Sequence, residues 1–290
     1  MIETRDLTHY YGTTVGVDGL DLRVEAGEVF GFLGPNGAGK TTTIRLLLDL
    51  IRPTRGEATL FGRPVGEADV RGRIGYLPGE LALDGRLTGR ETLDFLARLG
   101  GGPPARRADL CQRLALSDAD LARRVREYSR GMKQKLGLVA AFQHDPELLV
   151  LDEPTTGLDP LMRESVFELL AEARRSGRTV FHSSHVLSEV DRTCDRVAML
   201  RDGRLVDVLR VDDIRRASGR SMVIEFRDAA PLAALEEVAR VRSVDGARVT
   251  IEVDAVQPVI QVLAAHEVRF LAFPEPGLEE LFDTLYRATS

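Results

Sequence analysis

The segment GPNGAGKT (34–41) sets glycines, a lysine and a hydroxyl at the spacing G-x-x-x-x-G-K-T, a pattern suited to cradling a phosphate chain. Glycine frees the backbone to turn its N–H groups inward around phosphate oxygens. The candidate contacts are Gly34, Asn36, Gly37, Ala38, Gly39, Lys40, Thr41 and Thr42. The Lys40 ammonium suits the β- and γ-phosphates of a nucleoside triphosphate, and the Thr41 hydroxyl suits Mg²⁺. A second segment, LLVLDE (148–153), ends an apolar run in two acids. Asp152 would hold Mg²⁺ through water, and Glu153 would polarise the attacking water as general base. Each segment also has a bland reading. The first can be a chance glycine turn before a helix, the second a helix cap or a salt-bridge site. Together and in this order they point to nucleotide chemistry.

These residues need strands and helices to position them. LDLRVEAGEVFGFLG (20–34) reads as strand, turn, strand, and delivers the glycine loop. The helix after Lys40 carries Ile44, Leu47, Leu48 and Ile51 at helical spacing and ends before Pro53. EATLFG (57–62) and RIGYLP (73–78) read as short strands, and residues 89–143 as mostly helical with a break near 100–104. LLVLDE reads as a buried parallel strand that presents its acids at its C-terminal end. A helix over 161–175, a strand at 178–184, a helix from 186 and a hairpin at 196–209 around Asp202-Gly203 follow. A new pattern starts near 210. Strands are expected at 221–226, 238–244, 248–254 and 268–274, and helices at 231–237, 259–266 and 278–287. Up to 274 the order is β-α-β-β-α-β, which suggests a small ferredoxin-like domain.

Over roughly residues 1–210 the chain resembles the ATP-binding cassette (ABC) family. YSRGMKQK (128–135) resembles the family's signature segment, in a variant found in exporters whose ATPase is a separate chain. It departs from the usual LSGGQ at Tyr128, Arg130 and Met132, while Ser129 and Gly131 remain. The resemblance implies that Ser129 and the Gly131 backbone contact the γ-phosphate bound on another subunit. Tyr11 resembles the aromatic that stacks on adenine, although taken alone it reads equally as a core tyrosine. TTGLDP (155–160) resembles the loop whose aspartate, here Asp159, crosses between subunits. His185, in SSHVLSEV, resembles the switch histidine that senses the γ-phosphate and joins Lys40 and Glu153 among the catalytic candidates. Where the family carries a glutamine that touches Mg²⁺ and the transmembrane partner, this chain has Gly79 followed by Glu80. Glu80 can replace it as a Mg²⁺ ligand, or no side chain fills the role.

The resemblance implies an α/β fold. It is a P-loop NTPase cassette with a mixed core sheet, an antiparallel β subdomain and a helical subdomain at about 80–143. A small α+β domain at 211–290 is expected to regulate or dimerise it. The implied ligands are ATP and Mg²⁺. The implied partners are a second copy, in a head-to-tail ATP sandwich, and a separate transmembrane permease. The implied function is ATP hydrolysis that drives export of a drug-, antibiotic- or lipid-like substrate. Import, or a cytosolic role without transport, is the alternative. The expected position is the cytoplasmic face of the membrane, held through the permease.

Bulk properties agree with that picture. The chain has 290 residues, 43% hydrophobic and 29% charged, an ordinary globular composition. Its net charge of −6 argues against broad nucleic-acid binding. MIETRDLTHYYG lacks the basic and apolar regions of a signal peptide, and no apolar run approaches a membrane span. Cys111 and Cys194 form no metal or redox spacing and are expected to be small core residues. Cassette proteins acting on ribosomes carry two cassettes, and DNA-repair cassettes carry coiled coils or zinc cysteines. Neither feature is found here.

Overall fold

The computed structural model describes residues 1–100, 102–217 and 221–273. The expected helix at 278–287 lies outside them. Contacts divide the chain into Met1–Leu209 and Arg210–Ser290.

The first unit opens with β1 (Ile2–Tyr11) and β2 (Thr14–Val24), an antiparallel pair. β3 (Val29–Leu33) follows, with every residue buried, and leads into α1 (Lys40–Leu47). Next come β4 (Arg55–Leu60), β5 (Arg63–Pro64), α2 (Ala68–Arg71) and β6 (Ile74–Leu77). Four helices then make a helical subdomain: α3 (Gly89–Leu99), α4 (Arg107–Arg113), α5 (Asp118–Ala122) and α6 (Arg130–Phe142). The chain returns through β7 (Leu148–Asp152), α7 (Pro160–Arg175), β8 (Thr179–Ser184) and α8 (Leu187–Thr193). β9 (Arg196–Arg201) and β10 (Arg204–Arg210) form the closing hairpin. Asp202 and Gly203 between them have φ of 50° and 79°, the positive values a tight hairpin turn requires.

Two sheets result. One has the order β2-β1-β4-β5 and the other β10-β9-β3-β8-β7-β6. In the second, β3 runs parallel to β8 and β9, and β7 runs parallel to β6 and β8. One apolar core joins the sheets to α1. Ile2, Leu20 and Leu60 meet Phe30, Phe32 and Phe181 there, with Ile44 and Leu47 from the helix. β3, β7 and β8 are buried along their whole length, so their loops leave a rigid base.

The helical subdomain begins with a capping box, Thr88 with Glu91, and a second one joins Ser117 and Asp120. Tyr128 is buried and donates its hydroxyl to the Asp120 carbonyl at 2.7 Å. A side chain at Gly89 would meet that hydroxyl at 2.1 Å. Gly89 therefore makes the room that admits tyrosine where the family's usual signature has leucine.

The second unit contains α9 (Val211–Ala217), β11 (Ser221–Phe226), α10 (Leu232–Glu236), β12 (Arg240–Asp245), β13 (Arg248–Glu252), α11 (Val256–Ala264) and β14 (Val268–Ala272). From β11 onward the order is β-α-β-β-α-β, and the sheet order is β12-β13-β11-β14 with antiparallel pairs. This is a ferredoxin-like arrangement. Met222, Ile224 and Phe226 alternate into its core against Val249, Ile251, Val259 and Leu263. α11 starts at Val256, three residues before the expected start at 259. Pro258 fits in its first turn because N–H groups there lack intrahelical partners.

Both cysteines are buried free thiols, and burial pushes Cys194 up to about 12. His182 on β8 lies beside it, with Nε2 3.0 Å from Cys194 Sγ and 3.2 Å from Thr193 Oγ1. Burial lowers His182 to about 4 from an ordinary 6.5. The unfolded chain takes up that proton below about pH 6.5, whereas the folded chain resists until about 4. Acidification through this window therefore favours unfolding, by roughly 2 kcal/mol at pH 5. We expect His182→Gln to lose less stability between pH 7 and pH 5 than the parent, measured by urea unfolding at each pH. Equal losses would clear the imidazole as the source.

Candidate functional site

Three parallel strands deliver the site. β3, β8 and β7 are neighbours, with Leu33 opposite Ser184 and Asp152 opposite Ser183. The loops that follow these strand ends hold Gly34–Gly39, Glu153 and His185, a usual place for ligands in an α/β sheet.

The glycine loop has close constraints. A side chain at Gly34 would stand 2.6 Å from the Leu200 carbonyl oxygen. Gly39, with φ 101°, would bring one to 2.4 Å from the Gly16 carbonyl oxygen. Gly39 caps α1, whose first turn contains no acid. The open N–H groups and helix dipole there favour an anion. Lys40 is 6% exposed and donates to the carbonyls of Gly34 at 2.7 Å and Pro35 at 3.0 Å. Burial lowers its pKa, opposed by the charges of Glu153 and Asp152.

Asp152 is buried at the end of β7 and accepts from Thr41 Oγ1 at 2.8 Å. Its other oxygen accepts from Ser183 Oγ, which itself accepts from the Glu153 N–H at 3.1 Å. Glu153 takes φ 50°, an uncommon conformation for a non-glycine residue that recurs at functional sites. Its carboxylate accepts from Thr156 Oγ1 at 3.1 Å and lies 3.0 Å from His185 Nδ1. Ser183 and Thr156 escaped the sequence reading. Thr156 lies in TTGLDP and Ser183 in SSHVLSEV, but those segments point to Asp159 and His185, and only strand register places Ser183 between the two acids.

A cavity of about 260 Å³ opens over the loop, with Tyr11, Lys40, Thr42 and Glu153 in its walls. Asn36, Gly37, Gly39 and Thr41 also line it, with Val15 and Gly16 from β2, while Gly34 and Ala38 belong to the loop behind it. Tyr11 is 45% exposed and meets His9 edge-on at 4.6 Å. A neighbouring cavity of about 350 Å³ shares Thr41 and Glu153, and adds Gly79, Glu80 and Asp152. A side chain at Gly79 would stand 2.9 Å from Asp152 Oδ2, so the main chain there runs against the carboxylate. The hydroxyl and carboxylate oxygens are hard donors of the kind Mg²⁺ takes alongside phosphate. Ser129, Gly131 and Asp159 line neither cavity. Ser129 caps α6, accepting from Met132 N at 3.2 Å, and Asp159 caps α7, accepting from Met162 N at 3.0 Å.

Comparison with known proteins agrees with this geometry. The family model described as ABC transporter matches residues 17–156. The daunorubicin/doxorubicin resistance ATP-binding protein DrrA of Streptomyces peucetius is 37% identical over 300 residues, covering 97% of this chain and 91% of its own. The bacitracin transport ATP-binding protein BcrA of Bacillus licheniformis is 37% identical over 234 residues, covering 79% and 76%. A solved structure of an ATP-binding subunit of an ABC transporter superposes with a TM-score of 0.69 at 32% identity, covering 75% of this chain and 92% of that one. Fold and cleft together define a P-loop nucleoside triphosphatase. More narrowly, the chain belongs to the ABC transporter family, as an ATP-binding and ATP-hydrolysing subunit.

Proposed function

We propose that this subunit powers export of a drug- or antibiotic-like molecule through a separate permease chain. Two copies would close head to tail around ATP. The observation that carries the shared site is the position of Ser129 and Gly131. They stand at the start of α6, outside the nucleotide cavity of their own chain, where a second copy can supply them. The names of DrrA and BcrA, daunorubicin/doxorubicin resistance and bacitracin transport, support the substrate class. No helix among the described residues is long and apolar enough to cross a membrane. A permease partner would therefore hold this chain at the cytoplasmic face.

The residues then divide the work. Tyr11 stacks on adenine. The loop from Gly34 to Thr42 binds the phosphates, and Lys40 turns its ammonium to the β- and γ-oxygens. Thr41, Asp152 and Glu80 would hold Mg²⁺, which when bound neutralises charge on those oxygens. Glu153 takes a proton from the attacking water, and His185 fixes its carboxylate and meets the γ-phosphate. Ser129, Gly131 and Asp159 act across the interface. A γ-phosphate held from both sides adds binding energy to the closed pair only, so hydrolysis lets the copies part.

Glu153→Gln should bind ATP, lose about 10²–10⁴-fold in turnover and accumulate an ATP-bound dimer on size exclusion. Lys40→Ala should weaken nucleotide binding itself. Near-normal hydrolysis by Glu153→Gln would remove the general-base role. For Glu80, alanine should lower the apparent Mg²⁺ affinity in a titration of ATPase rate. An unchanged curve would leave the role to the main chain at Gly79. We also assign Arg210–Ser290 an accessory role in dimerisation or regulation. Deleting 211–290 should spare ATP binding and weaken subunit association. Unchanged dimer affinity and unchanged permease-coupled ATPase would refute that role.

A further inference from the structure

Glu153 holds an unfavoured backbone conformation, with φ 50°, so something must fix its peptide. Its N–H is held by Ser183, from the neighbouring strand. Its carbonyl is held from another part of the fold. Gln134, on α6, donates from Nε2 to the Glu153 carbonyl at 3.2 Å and to the Pro154 carbonyl at 3.0 Å. The Gln134 side chain is buried, at 6% exposure.

α6 is also seated firmly on either side of this contact. One turn before it, a side chain at Gly131 would stand 3.0 Å from the Gly157 carbonyl oxygen. The stem of Arg130 lies 3.4 Å from where a side chain at Gly157 would be. One turn after it, a side chain at Gly137 would meet Leu77 Cδ1 at 2.7 Å and Leu81 Cδ2 at 2.9 Å. The first turns of α6 thus lie along the segment Glu153–Gly157 of the same chain. Helix and segment approach closely at Gly131 and Gly157 as well as at Gln134.

We propose that Gln134 is a positioning residue for the general base. It ties Glu153 to the helix whose N-terminus, on the shared-site reading given above, contacts ATP on the other copy. Engagement of one nucleotide by Ser129 and Gly131 then sets the main chain of the base that serves the other nucleotide. The two sites become coupled through one side-chain amide in each copy. The amide suits this role, since one NH₂ group offers two donors for two carbonyls.

The test uses full-length chains. Gln134→Leu removes both donors at similar volume, and should lower kcat about tenfold or more, as small misplacements of catalytic groups do. KM for ATP should stay within about twofold, and the Hill coefficient for ATP should fall towards one. Mixed dimers assign the effect. One copy carries Glu153→Gln, so only the other copy's base works. Gln134→Leu placed with the live base should reduce the rate. Placed on the Glu153→Gln copy, which lends its α6 to the live site, it should leave the rate nearly intact. Equal loss at both placements, or the reverse order, overturns the proposal. Failure of the mixed dimer to form with ATP overturns the shared site itself, and the coupling with it. If leucine prevents folding, Gln134→Glu replaces it. At pH 8 its carboxylate opposes the two carbonyls, and protonation at lower pH restores one donor. Its rate relative to the parent should rise as pH falls from 8 to 6, and a flat ratio overturns the proposal.

Discussion

The register of β3, β8 and β7 is the constraint on which the site rests. Leu33 faces Ser184 and Asp152 faces Ser183, so the loops after three strands begin at one level. Side chains alternate along a strand, and a slip of one residue would exchange the side chains packed on its two buried faces. Phe181 fixes the register from within the core, between Phe30 at 5.9 Å and Phe32 at 5.1 Å. Burial of such rings contributes roughly 2–3 kcal/mol each. That apolar stabilisation keeps Asp152 and Ser183 aligned, and their alignment gives Glu153 its N–H partner.

Holding the site in shape has a local cost, met by specific contacts. A non-glycine residue in a left-handed conformation costs about 1–3 kcal/mol, and Glu153 takes one. A hydrogen bond contributes about 1 kcal/mol net. Ser183, Thr156 and Gln134 each bind a different part of the residue: N–H, carboxylate and carbonyl. Several contacts of that size are enough to offset the strain. The result is a carboxylate held in one place, as the general-base role proposed for it requires.

The glycine loop, the Asp152–Glu153 strand end and the place of His185 beside Glu153 were legible because a local pattern carries each of them. The ferredoxin-like order of the second unit was legible for the same reason, since β11 buries alternate residues. β1 was not legible. Its pairing with β2 shifts between Thr4 and Leu7, where Asp6 takes φ 48°. Ile2, Thr4 and Leu7 are buried, so the bulge breaks the period-two pattern that marks a strand. Ser183, Thr156 and Gln134 were hidden for another reason. Ser183 and Gln134 act through tertiary neighbours that no spacing along the chain encodes, whereas Thr156 acts on Glu153 only three residues before it, inside a segment that points to Asp159 instead. Tyr128 looks like a departure from a motif until Gly89, far away in sequence, is seen to vacate the space for its hydroxyl.

The helix N-termini of the first unit show how electrostatics sorts scaffold from site. α2, α3, α4, α5 and α8 each have an acid in the first turn, and α7 is capped by Asp159. Those acids answer the partial positive charge of their own helices. α1 and α6 have neither an acidic cap nor an acid in the first turn. Their caps are the uncharged Gly39 and Ser129, so no carboxylate of the chain answers the positive charge of either end, although Ser129 accepts the Met132 N–H. A γ-phosphate placed between an α1 from one copy and an α6 from another would meet two such ends at once. Like charges cannot draw the two ends together unaided, so in the proposed dimer the anion would be what makes the closed pair favourable. In that dimer, loss of the γ-phosphate would remove the attraction between α1 and α6.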